Sequence, residues 1–191
     1  MIPATLIADT TQFNAAWNEQ ACLQGCVRGD LASQGLLYKH FYPTMMAVVY
    51  RYTRDRDQVS SILNNAFLKV FKNIHNFRGE GSLEGWIRRI IIHALADYFR
   101  YKHAAKEISH DAVPDTNETN ILQPLSYDYK LLLELLHKLP PATRTVINLF
   151  IIDGYTHREI AVMTGISENT SKWHVAEGKK ILQQQLSGMK K

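Results

Sequence analysis

Apolar residues recur every three or four positions through stretch after stretch of the chain, and nowhere do they alternate with polar ones long enough to make a strand. The pattern predicts an all-α protein. Ala15 to Val27 reads as a helix with Trp17, Ala21 and Leu23 at apolar positions, closed by Gly29-Asp30. Leu31 to Tyr42 reads as a second helix. Pro43, tolerated in a first helical turn, predicts the start of a third through MMAVVYRY. Asp55 and Asp57 introduce an amphipathic helix, SSILNNAFLKVFKNI, with Ile62, Ala66, Val70 and Ile74 in one stripe flanked by Leu63, Phe67 and Phe71. After the polar turn NFRGEGS, a long helix is expected from Leu83 to Tyr101. Its buried line is read as Trp86, Ile90 and Leu95, and its edge is basic and aromatic: Arg88, Arg89, His93, Arg100 and Tyr101. Residues 1–14 show no periodicity.

Between His103 and Tyr127 the helical stripe stops, and AAKEISHDAVPDTNETNILQPLS reads as a flexible linker. Two small helical domains follow from this, 1–103 and 127–191, joined by 104–126. Charge sharpens the division. The first part carries 12 basic against 8 acidic residues, the linker 1 against 4, and the last part 9 against 6. Two basic modules on an acidic tether, with +4 overall, favour a polyanionic partner.

The second module opens with YKLLLELLHKL, breaks at Pro140-Pro141, resumes as ATRTVINLFIIDG and leads to the most informative stretch, Tyr155 to Leu182. Thr156, three residues before Glu159, is a capping-box pattern that starts a short helix. Gly165 supplies a sharp turn, Ile166 anchors it, and Ser167 is placed to cap a longer helix running past Lys180. This is a helix-turn-helix. Ser171, Val175, Gly178 and Leu182 fall on the inward face. Asn169, Thr170, Lys172, Trp173, Ala176, Glu177 and Lys180 fall outward, and His174 joins them as a candidate DNA contact. Such a face can enter a major groove, polar tips on base edges and lysines on phosphates.

Other chemistries find little support. Cys22 and Cys26 make neither a disulfide framework nor a zinc site, and fit a reducing cytoplasm. No signal peptide and no apolar run near the roughly 20 residues of a membrane span is evident. His110-Asp111 with His75, His93 and His103 could be imagined as a metal-dependent phosphohydrolase site, but the pair falls in the linker, with no helix to fix it. Neither a phosphate-cradling glycine loop nor a nucleophile in a recognisable setting occurs. A non-enzymatic protein without metal or cofactor is expected.

With these residues in view, the chain resembles a sigma-70-family RNA polymerase sigma factor of the extracytoplasmic-function (ECF) group. FLKVFKNIHNFRGEGSLEGWIRRIIIHALADYFR resembles the family's region two, and LHKLPPATRTVINLFIIDGYTHREIAVMTGISENTSKWHVAEGKKIL its region four. The resemblance implies a cytoplasmic subunit that binds core RNA polymerase and directs it to promoter DNA, with an anti-sigma factor as a further partner and no membrane insertion. Region two would open the minus-ten element through Arg78, Leu83, Arg89, His93, Asp97 and Arg100. By the family's pattern Trp86 packs in the core while Leu83 and His93 approach the pocket for a flipped base. Ser61, Asn64, Asn65 and Lys69 would meet the polymerase, and region four would read the minus-thirty-five element.

This sequence departs from the family at several of these positions. Ser61, Asn64 and Asn65 stand where acidic residues and a Gln are usual, His93 where Asn is frequent, and Glu177 where Arg is frequent. Ser171 replaces a usual buried Val or Ile, which argues for tight packing. A self-sufficient helix-turn-helix regulator with an N-terminal dimerisation or sensing domain is the alternative. The basic aromatic edge over residues 88–101 argues against it, since neither role needs such an edge.

Overall fold

The computed structural model describes residues 17–106 and 126–189, and these form eight α-helices with no strand among them. The linker expectation, apart from its two ends, and the aperiodic N-terminus lie outside the described residues. In the N-terminal domain, α1 (Glu19–Val27) packs along α2 (Leu31–Tyr50), and α2 against α3 (Arg56–Asn73) and α4 (Leu83–Lys106). The C-terminal domain holds α5 (Tyr127–His137), α6 (Pro141–Ile147), a π-helical turn (Asn148–Ile152), α7 (His157–Thr164) and α8 (Glu168–Met189). α4 runs three residues into the stretch read as linker.

Local chemistry sets most helix starts. Asn18 Oδ1 accepts the Ala21 N–H at 2.9 Å, Asp30 Oδ2 the Ser33 N–H at 2.9 Å, and Asp55 Oδ1 the Gln58 N–H at 3.1 Å, satisfying amides that have no helical partner. Pro141 occupies the first turn of α6, where its missing N–H costs nothing. The break expected at Pro43 does not occur, and α2 passes through it unbroken. Leu37, Phe41, Met45, Val48 and Val49 bury one continuous face on both sides of Pro43, which itself points to solvent. Tertiary burial, about 1.5–3 kcal/mol for each such side chain, outweighs the lost hydrogen bond.

The core stripe of α3 is the expected one, Ile62, Ala66 and Val70 with Leu63 and Phe67, continued by Ile74 in the 3-10 turn that follows, all at most 2% exposed. That of α4 differs. Leu83, Ile87, Ile91 and Leu95, spaced by four and fully buried, face α3. This register turns Trp86 and Ile90 to a half-buried flank. The sequence LEGWIRRIII carries apolar residues on both lines, so periodicity alone does not choose between them.

Both domains share a core. The buried cluster of α2, α3 and α4 continues into Leu133, Val146, Leu149, Ile160, Met163 and Val175 of the C-terminal domain, while Leu136, Leu139 and Ile147 form a second cluster with Ile181 and Leu182. Within the C-terminal domain, Gly178 lets α8 cross α6 closely: a Cβ there would stand 2.6 Å from Ile147 Cγ1 and 3.0 Å from Thr143 Cγ2.

Candidate nucleic-acid interface

One side of α4 carries four of the six candidate DNA contacts of the N-terminal domain, Arg89, His93, Asp97 and Arg100. Ser82 Oγ accepts the Gly85 N–H at 3.0 Å, which starts the helix after a turn whose Gly79 and Gly81 take positive φ of 75° and 98°. Arg78 lies exposed in that turn. A cleft of about 330 Å³, lined by Lys69, Asn73, Trp86, Arg89, Ile90 and His93, opens between α3 and α4. It combines an indole, an imidazole and two cations, which suits an unstacked base beside a phosphate. Leu83 takes no part in it. That side chain is completely buried in the core, because the four-residue stripe of α4 begins with it, while Trp86, expected to be core, flanks the cleft and meets Phe77 at 5.7 Å between rings. The roles of these two residues are exchanged relative to the expectation.

Asp97 organises the cleft's edge. Its Oδ2 accepts Lys69 Nζ at 3.0 Å and its Oδ1 accepts Arg100 Nη2 at 2.7 Å, so one carboxylate holds both cations. All three side chains are half exposed, and such pairs position more than they stabilise. Burial and then the nearby Arg89 push the His93 imidazole below its ordinary 6.5, which favours a neutral ring able both to donate and to accept. Lys69, grouped by sequence with the polymerase contacts, therefore sits at this cleft. Ser61, Asn64 and Asn65 lie together on the exposed side of α3, and Asn64 Oδ1 accepts the Tyr38 hydroxyl at 3.1 Å. Leu68, 62% exposed in their midst, was missed by the sequence reading. Its signal was a leucine at helical spacing on an otherwise polar face.

The helix-turn-helix forms as its sequence dictates. Thr156 Oγ1 accepts the Glu159 N–H at 3.2 Å while Glu159 Oε2 accepts the Thr156 N–H at 2.8 Å. The Thr156 N–H and then the Thr156 hydroxyl, both donating to Glu159 Oε2 at 2.8 Å, hold the Glu159 carboxyl below the usual carboxylate range. Gly165 takes φ 78°, the left-handed conformation that ends α7, and Ser167 Oγ accepts the Thr170 N–H at 3.0 Å to start α8. Asn169, Thr170, Lys172, Trp173 and Lys180 are exposed on the outer face and Glu177 is half-buried at its edge. His174 leaves this group: it is half-buried and its Nδ1 pairs with Thr143 Oγ1 of α6 at 3.0 Å, because one step along the helix turns it towards the domain interior. Ser171 is fully buried, as expected of a tightly packed site, and its hydroxyl pairs with His157 Nδ1 at 2.9 Å.

A network that sequence reasoning missed fastens the domains. Asp153, its side chain 1% exposed, accepts Arg51 Nη2 at 2.8 Å and the Tyr52 hydroxyl at 2.8 Å, with Arg88 Nη2 at 3.8 Å. Burial raises the Tyr52 phenol well above its ordinary value, keeping its proton available for this bond. Asn148 Nδ2 donates to Arg51 O at 3.0 Å, Arg144 Nη1 to Tyr52 O at 3.2 Å, and the Tyr129 hydroxyl to Ala47 O at 2.7 Å. His137 Nε2 donates to Tyr50 O at 2.7 Å. Partners about 100 residues apart leave no local sequence signal.

Fold and faces define a two-domain, all-helical DNA-binding protein. The family model for sigma-70 region 2 matches residues 37–104, and that for sigma-70 region 4 matches residues 129–182. The ECF RNA polymerase sigma-E factor of Haemophilus influenzae is similar at 21% identity, over 88% of this chain and 95% of its own length. The ECF RNA polymerase sigma factor SigX of Bacillus subtilis is 23% identical, over 79% and 82%. A solved structure of the sigma factor RpoE in complex with the anti-sigma factor NepR, from Bartonella quintana, shares the fold with a TM-score of 0.53 and 18% identity, covering 80% of this chain and 96% of that one. The chain belongs to the sigma-70 family, in its ECF group.

Proposed function

We infer that this ECF sigma factor binds core RNA polymerase and directs promoter-specific initiation, region 2 (1–103) opening the minus-ten element and region 4 (127–191) reading the minus-thirty-five element, with 104–126 as the connection. The observation that carries the reading is the pairing, in this order, of the α3–α4 cleft with the capped helix-turn-helix. The stand-alone regulator finds no matching support: the N-terminal domain matches sigma region 2 rather than a sensing fold.

Each face has a distinct task. Ser61, Asn64, Asn65 and Leu68 present a hydrogen-bonding stripe around one apolar contact, which suits a protein partner. Arg78, Arg89, His93 and Arg100, with Asp97 and Lys69, serve the opened strand. Asn169, Thr170, Trp173 and Glu177 face base edges while Lys172 and Lys180 meet phosphates. The chain acts by binding and leaves catalysis to the polymerase. It works in the cytoplasm, where its polymerase and promoter are, and an anti-sigma factor is its natural regulator, as the complexed relative illustrates. No described helix is long and apolar enough to cross a membrane.

Gel filtration of the purified chain with core polymerase tests the reading. Co-elution is expected. Separate elution at micromolar concentrations, together with tight binding of the free chain to promoter duplex, would favour the stand-alone regulator.

A further inference from the structure

Ser171 stands on the buried side of α8 at 0% exposure, where the family usually has Val or Ile. A sealed hydroxyl without a partner costs about tenfold in the folding equilibrium, so its partner matters. Helical hydroxyls commonly take the carbonyl four residues back, as Thr145 does with Pro141 O at 3.0 Å and Thr164 with Ile160 O at 2.6 Å. Ser171 pairs across to the neighbouring helix instead, with His157 Nδ1 of α7 at 2.9 Å. That imidazole is itself braced. It lies flat on Phe150, ring centroids 4.3 Å apart and planes 14° from parallel, and Phe150 packs against the main core.

Further contacts hold α8 from α6. His174 Nδ1 pairs with Thr143 Oγ1 at 3.0 Å, and Gly178 closely approaches Ile147. Ser171, His174 and Gly178 follow one another at helical spacing, so they line one side of α8, and of the three it is Ser171 that bonds α7. Gripped from two neighbouring helices, α8 cannot turn about its axis without breaking one grip. Thr170, Lys172 and Trp173 flank Ser171 and are exposed. Their side-chain tips lie about 5 Å from the helix axis, so a rotation of about 10° carries them about 1 Å. Hydrogen bonds span only about 2.7–3.2 Å, and a base contact does not survive that displacement.

We propose that His157 is a positioning residue for promoter reading: held flat by Phe150 and bonded to Ser171, it sets the rotation of α8 and thereby the upstream bases that the chain selects, without itself reading a base. Its consequence for promoters rests on the sigma-factor reading, while the bond and the stack do not. Where an apolar side chain at 171 would be seated by packing alone, the hydroxyl ties the two helices of the motif at one defined point.

Transcription from templates randomised across the upstream element, with core polymerase and the full chain, tests it. His157→Phe keeps an aromatic ring for Phe150 and removes the nitrogen, while Ser171→Ala removes the hydroxyl and adds no bulk. Each is expected to lower discrimination among upstream sequences by about fivefold or more, with helical circular dichroism unchanged. His157→Asn, whose amide takes the place of Nδ1 beside Ser171, should retain the native preference. Thr145→Ala removes another buried hydroxyl bond of the same domain and should lower stability without moving the preference. An unchanged preference in either His157→Phe or Ser171→Ala, an equal loss in His157→Asn, or an equal loss in Thr145→Ala would overturn the proposal. Urea denaturation reads the bond itself. Combining His157→Phe with Ser171→Ala should raise the unfolding constant by less than the product of the two single effects, because neither polar partner is then left unpaired, and a strictly multiplicative effect would contradict the bond. A native chain that enriches no upstream sequence would overturn the sigma-factor reading and the assignment with it, whereas a selective native chain with insensitive variants would overturn the assignment alone.

Discussion

Gly178→Ala perturbs the place where the recognition helix is held. The new Cβ would stand 2.6 Å from Ile147 Cγ1, 2.7 Å from its Cδ1 and 3.0 Å from Thr143 Cγ2, against an ordinary carbon contact of about 3.5–4.0 Å. Ile147 is itself sealed against Leu136 and Leu139, and Thr143 is buried, so neither can swing aside. The methyl therefore has to push α8 from α6 by about 1 Å or force Ile147 off its rotamer, at about 1–3 kcal/mol. Alanine's better helix propensity returns about 1 kcal/mol. Gly35→Ala provides the matched control. It lies inside α2 with nothing within 4 Å of its added Cβ, so only the propensity gain applies. In urea denaturation Gly35→Ala should raise stability by about 0.5–1 kcal/mol, and Gly178→Ala should fall below it by about 1–3 kcal/mol. Because the α6–α8 crossing aims the outer face, Gly178→Ala should also blunt minus-thirty-five discrimination. Equal stabilisation by the two substitutions would refute the close-crossing argument.

Lys172→Ala should weaken promoter binding across sequences and reduce the salt slope by about one unit, whereas Glu177→Arg should change the preferred bases by about 1–3 kcal/mol at one pair; fluorescence anisotropy over a salt series separates the two effects. Asn64→Ala with Leu68→Ala should lower affinity for core polymerase without altering helical content, measured by surface plasmon resonance. His93 should titrate below 6.5 by NMR, since burial and Arg89 both disfavour its cation. The unfolded chain then binds the proton first, so this site's contribution to stability is intact above pH 6.5 and falls as pH drops through the lowered midpoint. A midpoint above 6.5 would contradict the packing described. Arg89→Ala should impair open-complex formation more than closed-complex binding, read by permanganate footprinting.

What could be read from sequence was what local chemistry decides. Thr156, Glu159, Gly165 and Ser167 each act within four residues of their partners, and the helix-turn-helix formed as expected. Two local rules were overridden by packing. Pro43 was carried inside α2 by its buried face, and the stripe of α4 settled on Leu83 and Ile87 rather than Trp86 and Ile90, which moved Leu83 out of the DNA face and Trp86 towards it. His174 was misplaced for a related reason: its neighbours Trp173 and Val175 point outward and inward, and only contact with Thr143 decides its side. The pairing of Asp153 with Arg51 and Tyr52 had no readable signature. Buried charges at helix ends look like solvated caps until a second domain covers them.

Transcription from a library randomised across the promoter, with core polymerase and this chain as the sole sigma factor, tests the function most directly. Sequenced transcripts are expected to arise from templates sharing two enriched blocks at fixed spacing, and the upstream block alone should change with Glu177→Arg. Transcripts no more abundant than with core polymerase alone, or an upstream preference unmoved by Glu177→Arg, would contradict, respectively, the sigma-factor function and the docking of α8 on the minus-thirty-five element.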